Sequence, residues 1–343
     1  MDEPGIVVAG AGALGSAIAQ ALARAGHSVT LADGAAPGAN ASGVAAGMLA
    51  PAFESLFDET AHGEFEFLRR GRDLWPALAD EIGLPLARDG AMAIGARTQA
   101  QQWAALLSAR GARARVERLD DRWAVFTPED WRLEPRAALE ALARDAERWG
   151  ARRVSARVVG FERGVVGFDA APATAARILV LATGADAVLR DLAPELDALS
   201  PIKGHILRAE GRFAAGPVLR APGVYLCRGA SELVLGATME AGRADAGVDE
   251  AVASRLLAQA EPLLAGLEGV TWRASAGVRA ASPDGLPMVG AGRAPGVILA
   301  LGARRNGWLL APLIAAVVRD LVEGRPGDAI ARRFDPARFA IPR

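Results

Sequence analysis

Two parts of the sequence carry residues whose types and spacing have a direct chemical use. Near the beginning, Gly10, Gly12 and Gly15 form the pattern Gly-x-Gly-x-x-Gly, which lets backbone N–H groups approach a pyrophosphate at the start of a helix. Near the end, Arg279 and Arg305 offer planar guanidinium groups that can donate two parallel hydrogen bonds to a carboxylate. A nucleotide cofactor that removes electrons, together with a clamp for a small acid, indicates oxidation of an amino acid.

The residues around these glycines predict the βαβ unit that such a fingerprint requires. Residues 5–9 form a short apolar run typical of a buried parallel strand, 13–25 predict a helix, and 27–32 predict the second strand. Asp33 follows that strand, where a carboxylate can accept a hydrogen bond from a ribose 2′-hydroxyl and would repel a 2′-phosphate. The pattern therefore disfavours NADP. The structural alternative is a tight turn in an alanine-rich helix.

Three further segments favour FAD over NAD. Residues 37–47 are rich in Gly, Ala, Asn and Ser and predict a loop. Within and just after it, residues 42–49, Ser-Gly-Val-Ala-Ala-Gly-Met-Leu, follow the second strand, where FAD enzymes pass backbone beside the flavin. Residues 178–184 read Ile-Leu-Val-Leu-Ala-Thr-Gly, like a nucleotide-contacting strand and turn of flavoproteins. A predicted helix at 307–323 could direct its positive N-terminus at the reduced flavin ring. The first two segments, taken alone, are equally compatible with an ordinary strand and loop.

The single residues outside the fingerprint also have structural interpretations. Arg279 and Arg305 could each pair with a surface acid, which is the usual fate of an arginine. Tyr225 is the only tyrosine of the chain, and it could be a core aromatic residue rather than a hydroxyl that reaches a ligand. The residues alone leave both interpretations open.

Composition excludes several function classes. The formal net charge is -1, and no block of like charge forms the basic surface that nucleic acid requires. Residues 6–23 carry no formal charge but contain glycines and polar residues, so we interpret them as a buried strand, turn and helix and expect no membrane span. Cys227 is the only cysteine, which rules out an intrachain disulfide and fits a reducing, cytoplasmic location. No metal-ligand set is evident.

The periodicity along the chain predicts a mixed α/β fold in which a Rossmann-like FAD-binding domain is interleaved with an antiparallel-sheet substrate domain. The FAD-binding domain is expected at 1–86, 134–203 and 275–343, and the substrate domain at 87–133 and 204–274. Further predicted helices are 64–84, 98–110, 135–149 and 248–267. Further predicted strands are 156–161, 165–168, 177–181, 205–209, 224–228, 232–238, 272–276 and 297–301.

Over nearly its full length the chain resembles the glycine oxidase branch of the D-amino-acid oxidase superfamily, flavoenzymes linked to thiamin biosynthesis. The resemblance depends on motifs in a fixed order along the chain. They are the fingerprint with Asp33, Ala-Ala-Gly-Met-Leu-Ala-Pro at 45–51, Pro-Ile-Lys-Gly at 201–204, Leu-Gly-Ala-Thr-Met at 235–239, Ala-Gly-Val-Arg at 276–279, Pro-Asp-Gly-Leu-Pro at 283–287, and Arg-Asn-Gly-Trp-Leu-Leu-Ala-Pro at 305–312.

The resemblance implies a non-covalently bound FAD and a site at the matching positions. Arg279 would clamp the substrate carboxylate with help from the hydroxyl of Tyr225, and Arg305 would lie beside the flavin ring. Met239 and Ala50 would line the substrate pocket. The expected FAD contacts, with Val158 at the adenine end, are Gly10, Gly12, Ala13, Leu14, Gly15, Asp33, Ser42, Ala46, Gly47, Met48, Val158, Thr183, Gly184, Arg305, Asn306, Gly307, Trp308 and Leu309.

The chain departs from the family pattern at three places. Ala185 stands where the family often has tryptophan after the second glycine turn. Gly223 replaces a polar residue two positions before the pocket tyrosine, and Ala303-Arg304 replace an aromatic residue or histidine before the flavin-side arginine. These differences leave the substrate preference more open than the fold.

The implied activity is oxidation of glycine, a small D-amino acid or a secondary amine. Hydride transfer from the substrate to flavin N5 would give an imine that hydrolyses to an oxo acid and ammonia, and dioxygen would be reduced to hydrogen peroxide. Because this family tends to associate, a homo-oligomer is expected. The alternatives are an FAD-dependent dehydrogenase that passes electrons to a non-oxygen acceptor, an NAD-dependent reductase, and a non-catalytic flavin-binding module.

Overall fold

A computed structural model describes residues 5–339 of the chain. The strands are β1 Gly5–Ala9, β2 Val29–Ala32, β3 Met48–Leu49, β4 Ala91–Gly95, β5 Arg115–Leu119, β6 Arg122–Thr127, β7 Trp131–Arg132, β8 Arg152–Val154, β9 Val158–Glu162, β10 Val165–Phe168, β11 Thr174–Leu181, β12 Ser200–Glu210, β13 Gly216–Ala221, β14 Val224–Arg228, β15 Glu232–Gly236, β16 Glu240–Ala241, β17 Arg273–Ala281, β18 Met288–Ala291 and β19 Val297–Leu301.

The helices alternate with these strands in the first part of the chain. The α-helices are α1 Ala13–Arg24, α2 Ala41–Val44, α3 Pro51–Phe57, α4 Phe65–Asp73, α5 Trp75–Ile82, α6 Arg97–Ala109, α7 Pro135–Arg148, α8 Glu250–Gln259, α9 Gly307–Val322 and α10 Ala329–Phe334. Short 3-10 helices occupy Glu59–Ala61, Pro194–Ala198, Glu261–Leu263 and Pro336–Phe339.

An eight-stranded sheet carries the βαβ unit, in the order β18-β19-β11-β1-β2-β8 with the β9–β10 hairpin attached to β11. Strand β1 is parallel to β2 and β11, and β11 is parallel to β19. Alternate residues of β1 serve two cores: Ile6 and Val8 pack in the cluster of α1, α7 and α9, whereas Val7 and Ala9 pack with Leu189 and the hairpin. The parallel sheet is thus buried on both faces.

A nine-stranded sheet has the order β16-β12-β15-β14-β13-β4-β6-β5, with β17 paired to β12. Its pairs are antiparallel except for β13 and β4, which run parallel. The predicted α/β class, with a Rossmann-like part and a separate, mainly antiparallel sheet, is confirmed. Strands β12 and β17 run across the expected boundaries at 203/204 and 274/275, so a division there would cut single strands; the domain boundaries remain a prediction.

The structure corrects four predicted elements. The helix expected at 64–84 is two helices that meet at Leu74, because Pro76 lies in the first turn of α5 and cannot continue a preceding helix. The helix expected at 248–267 ends at Gln259, and Pro262 starts a separate 3-10 turn. The loop expected at 37–47 contains the short helix α2, and the strand expected at 272–276 continues to Ala281.

Among residues 5–339, none of the helices combines the length and apolar character needed to span a membrane.

Candidate active site

A cavity of about 630 Å³ lies against the fingerprint turn and reaches the C-terminal part of β17 and the start of α9. Its size is in the range of small-molecule and cofactor sites. The structure brings many of the predicted site residues together around it. Those that line the cavity are Gly10, Gly12, Ala13, Leu14, Asp33, Ser42, Val158, Thr183, Gly184, Arg279, Arg305, Gly307 and Trp308.

The fingerprint glycines leave no room for side chains where α1 meets β1. Gly10 has a φ of +101°, and a Cβ atom there would lie 2.4 Å from the carbonyl oxygen of Ala182. A Cβ atom on Gly15 would lie 1.8 Å from the carbonyl oxygen of Gly10. Helix α1 therefore packs directly on the turn, and its N-terminus at Ala13 opens into the cavity.

Asp33 and Ser42 organise this turn through their side chains. The Oδ2 atom of Asp33 accepts a 2.7 Å hydrogen bond from the Ala11 N–H, and its Oδ1 atom accepts one of 2.8 Å from the Ala35 N–H. The Oγ atom of Ser42 accepts a 2.9 Å bond from the Ala13 N–H at the start of α1. Both side chains thus hold backbone in place at the edge of the cavity.

The residues of the cavity fit an FAD. Gly12 is the N-cap residue of α1 and Asn306 is the N-cap residue of α9. Neither residue forms a side-chain hydrogen bond to the first turn of its helix. Gly12 and Gly307, at these two helix starts, both line the cavity. Two positive helix ends therefore face one space, one able to receive phosphates and the other able to stabilise negative charge on a flavin.

Arg279 lies inside β17, opposite Ile202 of β12. A Cβ atom on Gly204 would lie 2.5 Å from the Nη1 atom of Arg279. The missing side chain of Gly204 therefore makes room for the guanidinium. Among residues 5–339, no carboxylate forms an ion pair with Arg279 within 4.0 Å. Burial lowers the pKa of Arg279, and the nearby charges of Arg305 and Arg304 lower it further. The guanidinium is thus half-buried and has no acidic partner among the described residues.

The neighbouring arginines, in contrast, are paired with buried acids. Arg305 contacts Glu54 (Nη2–Oε1 3.1 Å) and Asp58 (Nη1–Oδ2 3.3 Å), and Arg304 also pairs with Asp58. Glu54 accepts two further hydrogen bonds of 3.2 Å from Arg220. The charge of Glu54 raises the pKa of Arg305, so this arginine stays charged and held in place.

Tyr225 lies on β14, opposite Gly236 of β15. Its hydroxyl oxygen lies 2.3 Å from the position that a Cβ atom on Gly236 would take. Burial raises the pKa of Tyr225 to about 12, while the charges of Arg279 and Arg305 act in the opposite direction. The hydroxyl therefore stays protonated near neutral pH and can donate a hydrogen bond.

The other predicted site residues lie outside the cavity lining, and their roles remain predictions. Gly47 has a φ of +72°, and a Cβ atom there would lie 2.2 Å from the Leu133 carbonyl oxygen; this contact is reason enough for a glycine. Met239 is 41% exposed but contacts Arg279. The complete set outside the lining is Gly15, Ala46, Gly47, Met48, Ala50, Tyr225, Met239, Asn306 and Leu309.

Sequence reasoning missed the acids that form ion pairs with Arg304 and Arg305. Glu54 is separated from Arg305 by 251 residues, and no local pattern signals such a pair. Asp130 is fully buried and accepts hydrogen bonds from the N–H groups of Ala52 and Phe53 at the start of α3. Burial raises the pKa of Asp130 to about 7. Only Asp58 had a local signal, because Asp is a preferred N-cap residue and Asp58 caps the 3-10 turn Glu59–Ala61.

Comparisons with known proteins show the family and the fold of the chain. The family model for FAD-dependent oxidoreductases matches residues 5–321. The chain is 28% identical to a glycine oxidase of Geobacillus kaustophilus over 98% of this chain and 96% of the relative. A crystal structure of glycine oxidase from Geobacillus kaustophilus superposes with a TM-score of 0.85 at 26% identity, over 98% of this chain and 99% of that one. These matches confirm the resemblance to glycine oxidases.

A second type of relative is a bifunctional protein of tRNA 5-methylaminomethyl-2-thiouridine biosynthesis from Maricaulis maris. It is 30% identical over 99% of this chain. The chain spans only 56% of that protein's length. The similarity therefore concerns one part of a longer protein.

Proposed function

The chain belongs to the family of FAD-dependent oxidoreductases, and we propose that it oxidises glycine or another small amino acid or secondary amine. It is an enzyme of the glycine oxidase type. Bound FAD supplies the acceptor for a hydride from the substrate carbon next to nitrogen. The proposed product is an imine, which hydrolyses to an oxo acid and ammonia, or releases an amine in place of ammonia when the substrate is a secondary amine. Dioxygen accepts the two electrons and becomes hydrogen peroxide.

The observation that carries this proposal is the state of Arg279. Its guanidinium lines the cavity, is half-buried, and has no ion-pair partner among the described residues. A half-buried cation gains strongly from a bidentate carboxylate, because two charge-assisted hydrogen bonds form at once and part of its hydration is already lost. We therefore propose Arg279 as the clamp for the substrate carboxylate, with Tyr225 as a neutral hydrogen-bond donor nearby.

The pairing of the other arginines in the cavity supports a substrate with one carboxylate. Arg157 pairs with Asp186, Arg304 with Asp58, and Arg305 with Glu54. Within the described residues, Arg279 is the one cavity-lining arginine without such a partner. A single negative charge would balance it, as in a monocarboxylic amino acid.

The site supports a mechanism of orientation and electrostatics rather than side-chain proton transfer. No histidine or lysine is among the residues that line the cavity, and the raised pKa of Tyr225 prevents it from acting as a base at neutral pH. The chain's task is to hold the carboxylate at Arg279, to keep Arg305 charged, and to present an amine that is already deprotonated.

A screen of amines tests the proposal. Purified holoenzyme is offered glycine, sarcosine, D-alanine and D-proline, and both peroxide release in air and reduction of an artificial dye are measured. We expect peroxide with at least one of these substrates. Dye reduction without peroxide would instead support the FAD-dependent dehydrogenase, which could use the same residues. Activity with none of them by either measure would contradict the proposal.

The tRNA-related similarity does not change the proposed substrate. A net charge of -1 offers none of the excess positive charge with which proteins neutralise nucleic-acid phosphates. A cytoplasmic location and a homo-oligomer remain predictions.

A further inference from the structure

Lys203, the only lysine of the chain, holds an exposed segment in place. It lies on β12 and is 1% exposed, and its Nζ atom contacts the Oδ1 atom of Asp245 at 2.5 Å. Asp245 is 50% exposed and lies in residues 242–249, which contain no helix or strand and which we call the covering segment. Since a buried ammonium group without a partner is strongly unfavourable, the pair favours the position of this segment.

Strand β12 attaches the covering segment at its ends as well. The Gly242 N–H donates a 2.9 Å hydrogen bond to the Pro201 carbonyl. His205 accepts a 2.9 Å bond at Nε2 from the Asp249 N–H, and its Nδ1 atom lies 2.9 Å from an Oε1 atom of Glu240, just before the segment. The segment is therefore fixed at both ends, and the Lys203–Asp245 pair fixes its middle.

The covering segment forms part of the cavity wall. Ala244 and Ala246 line the cavity together with Ala276 and Val278 of β17. Every residue of the segment is exposed to solvent, including Ala244 and Ala246. The segment thus lies between the cavity and bulk water at this side.

The wall made by this segment and the carboxylate clamp lie on opposite faces of the β12–β17 pair. Lys203 is the cross-strand partner of Val278, and Ile202 is the partner of Arg279. Because side chains alternate along a strand, Lys203 and Val278 share one face, whereas Ile202 and Arg279 share the other. The covering segment therefore bounds the cavity away from the place where we propose that the carboxylate binds.

We propose that the Lys203–Asp245 pair is a latch that keeps the covering segment closed against bound FAD and so controls how slowly FAD leaves. Lys203 and Asp245 are positioning residues in this proposal, because they act through Ala244 and Ala246. Opening the latch would expose the cavity wall while Arg279 on the opposite face stays in place. The proposal concerns the cofactor and is independent of which amine is the substrate.

Four variants test the latch: Lys203→Met, Asp245→Asn, the double variant, and Arg243→Gln as the matched control. Holoenzyme is diluted, and the fluorescence of released FAD gives the dissociation rate. We expect about tenfold faster release from Lys203→Met and from Asp245→Asn, the factor that corresponds to loss of one charge-assisted hydrogen bond, and no further increase in the double variant. Arg243 donates a 2.8 Å bond to the other carboxylate oxygen of Asp245. Because both residues lie in the covering segment, this bond does not attach the segment to β12, and Arg243→Gln should release FAD at the wild-type rate.

The KM for the substrate separates the latch from a general loss of structure. The latch predicts faster FAD release at an unchanged KM in variants that retain a cooperative unfolding transition. Release of FAD at the wild-type rate from folded Lys203→Met would overturn the proposal. So would additive effects in the double variant, since a latch is opened only once.

A measurement on the wild-type protein keeps the test independent of how the variants fold. Holoenzyme is digested with trypsin at free FAD concentrations from below to far above saturation, and cleavage after Arg243 is compared with cleavage after the exposed Arg212 in the turn after β12. If the closed covering segment stabilises bound FAD, then bound FAD must stabilise the closed segment by the same free energy. We expect saturating FAD to slow cleavage at Arg243 several-fold relative to Arg212. Equal slowing at both sites would contradict the latch.

Discussion

The Nη1 atom of Arg279 donates a 3.4 Å hydrogen bond to the thioether sulfur of Met239. A thioether is a weak acceptor, so it satisfies little of the hydrogen-bonding capacity of this half-buried guanidinium. A carboxylate can replace this contact at small cost and gain a much stronger interaction. The Arg279–Met239 contact also places Met239 beside the proposed clamp, although Met239 lies outside the cavity lining.

Replacing Glu54 should destabilise the protein and misplace Arg305. Glu54 is 4% exposed and is shared by Arg220 and Arg305. Removing one partner of a buried ion pair leaves the others uncompensated, so Glu54→Gln should lower the free energy of unfolding by about 3–5 kcal/mol and reduce kcat/KM. Denaturant unfolding at saturating FAD measures the first effect.

Asp197→Asn is the control for Glu54→Gln. Asp197 pairs with Arg190 at the surface, where both side chains are about half exposed. An exposed pair contributes about 0–1 kcal/mol, so this variant should unfold nearly as the wild type does. Equal stability losses in the two variants would show that burial of Glu54 has no special effect.

Asp130 should make stability fall as pH rises between about 4 and 7. Burial raises its pKa from 3.8 to about 7 in the folded protein, so in this range the folded state holds a proton that the unfolded state has released. The free energy of unfolding from this group then decreases by roughly 1.4 kcal/mol per pH unit.

Asp130→Asn checks this pH dependence. The variant should be less stable at pH 5, because an amide cannot replace both acceptor oxygens of the carboxyl group toward Ala52 and Phe53. The difference from the wild type should shrink as pH rises to 8, as measured by urea unfolding at several pH values. A difference that is constant with pH would contradict the raised pKa.

Alanine at the fingerprint glycines should separate FAD binding from folding. A Cβ atom on Gly15 meets backbone at 1.8 Å, whereas one on Gly12 meets the Ser42 Oγ atom at 3.1 Å and points into the cavity region. Gly15→Ala should therefore lose both the fold and FAD. Gly12→Ala should stay folded by circular dichroism and bind FAD more weakly in a fluorescence titration.

Gly160→Ala is the reference for these two variants. Gly160 lies in β9, and a Cβ atom there has no neighbour within 4 Å. Its stability and FAD affinity should match those of the wild type. Normal folding of Gly15→Ala would disprove the close packing of α1 on the turn.

The sequence predicted the parts of the fold that depend on local patterns. Apolar periodicity and the spacing of Gly10, Gly12 and Gly15 were sufficient for β1, α1 and β2, because those signals lie within one βαβ unit. The predicted helices were too long where a proline lies in the first turn of a new helix, as Pro76 and Pro262 do. Propensity averaged over a window does not detect such a restart.

The site was predictable only where a residue carries its own signal. Arg279 belongs to a motif, but its lack of an acidic partner among residues 5–339 is a property of the packed structure. The pairing of Arg305 with Glu54 and the Lys203–Asp245 contact join distant parts of the chain. Because charged residues are usually exposed, no single-sequence argument would have placed Glu54 or Lys203 in the interior.

The role of Arg279 can be tested with a substrate that lacks the carboxylate. Reduction of enzyme-bound FAD is followed by its absorbance without oxygen, with glycine and with glycinamide, in the wild type, in Arg279→Ala and in Arg273→Ala. Arg273 is exposed at the start of the same strand and serves as the control. Losing the carboxylate pair should cost about 2–5 kcal/mol of binding.

We expect the wild type and Arg273→Ala to react far better with glycine than with glycinamide, and Arg279→Ala to keep its FAD but lose this discrimination. If Arg279→Ala still prefers glycine to glycinamide by the wild-type factor, Arg279 does not bind the carboxylate.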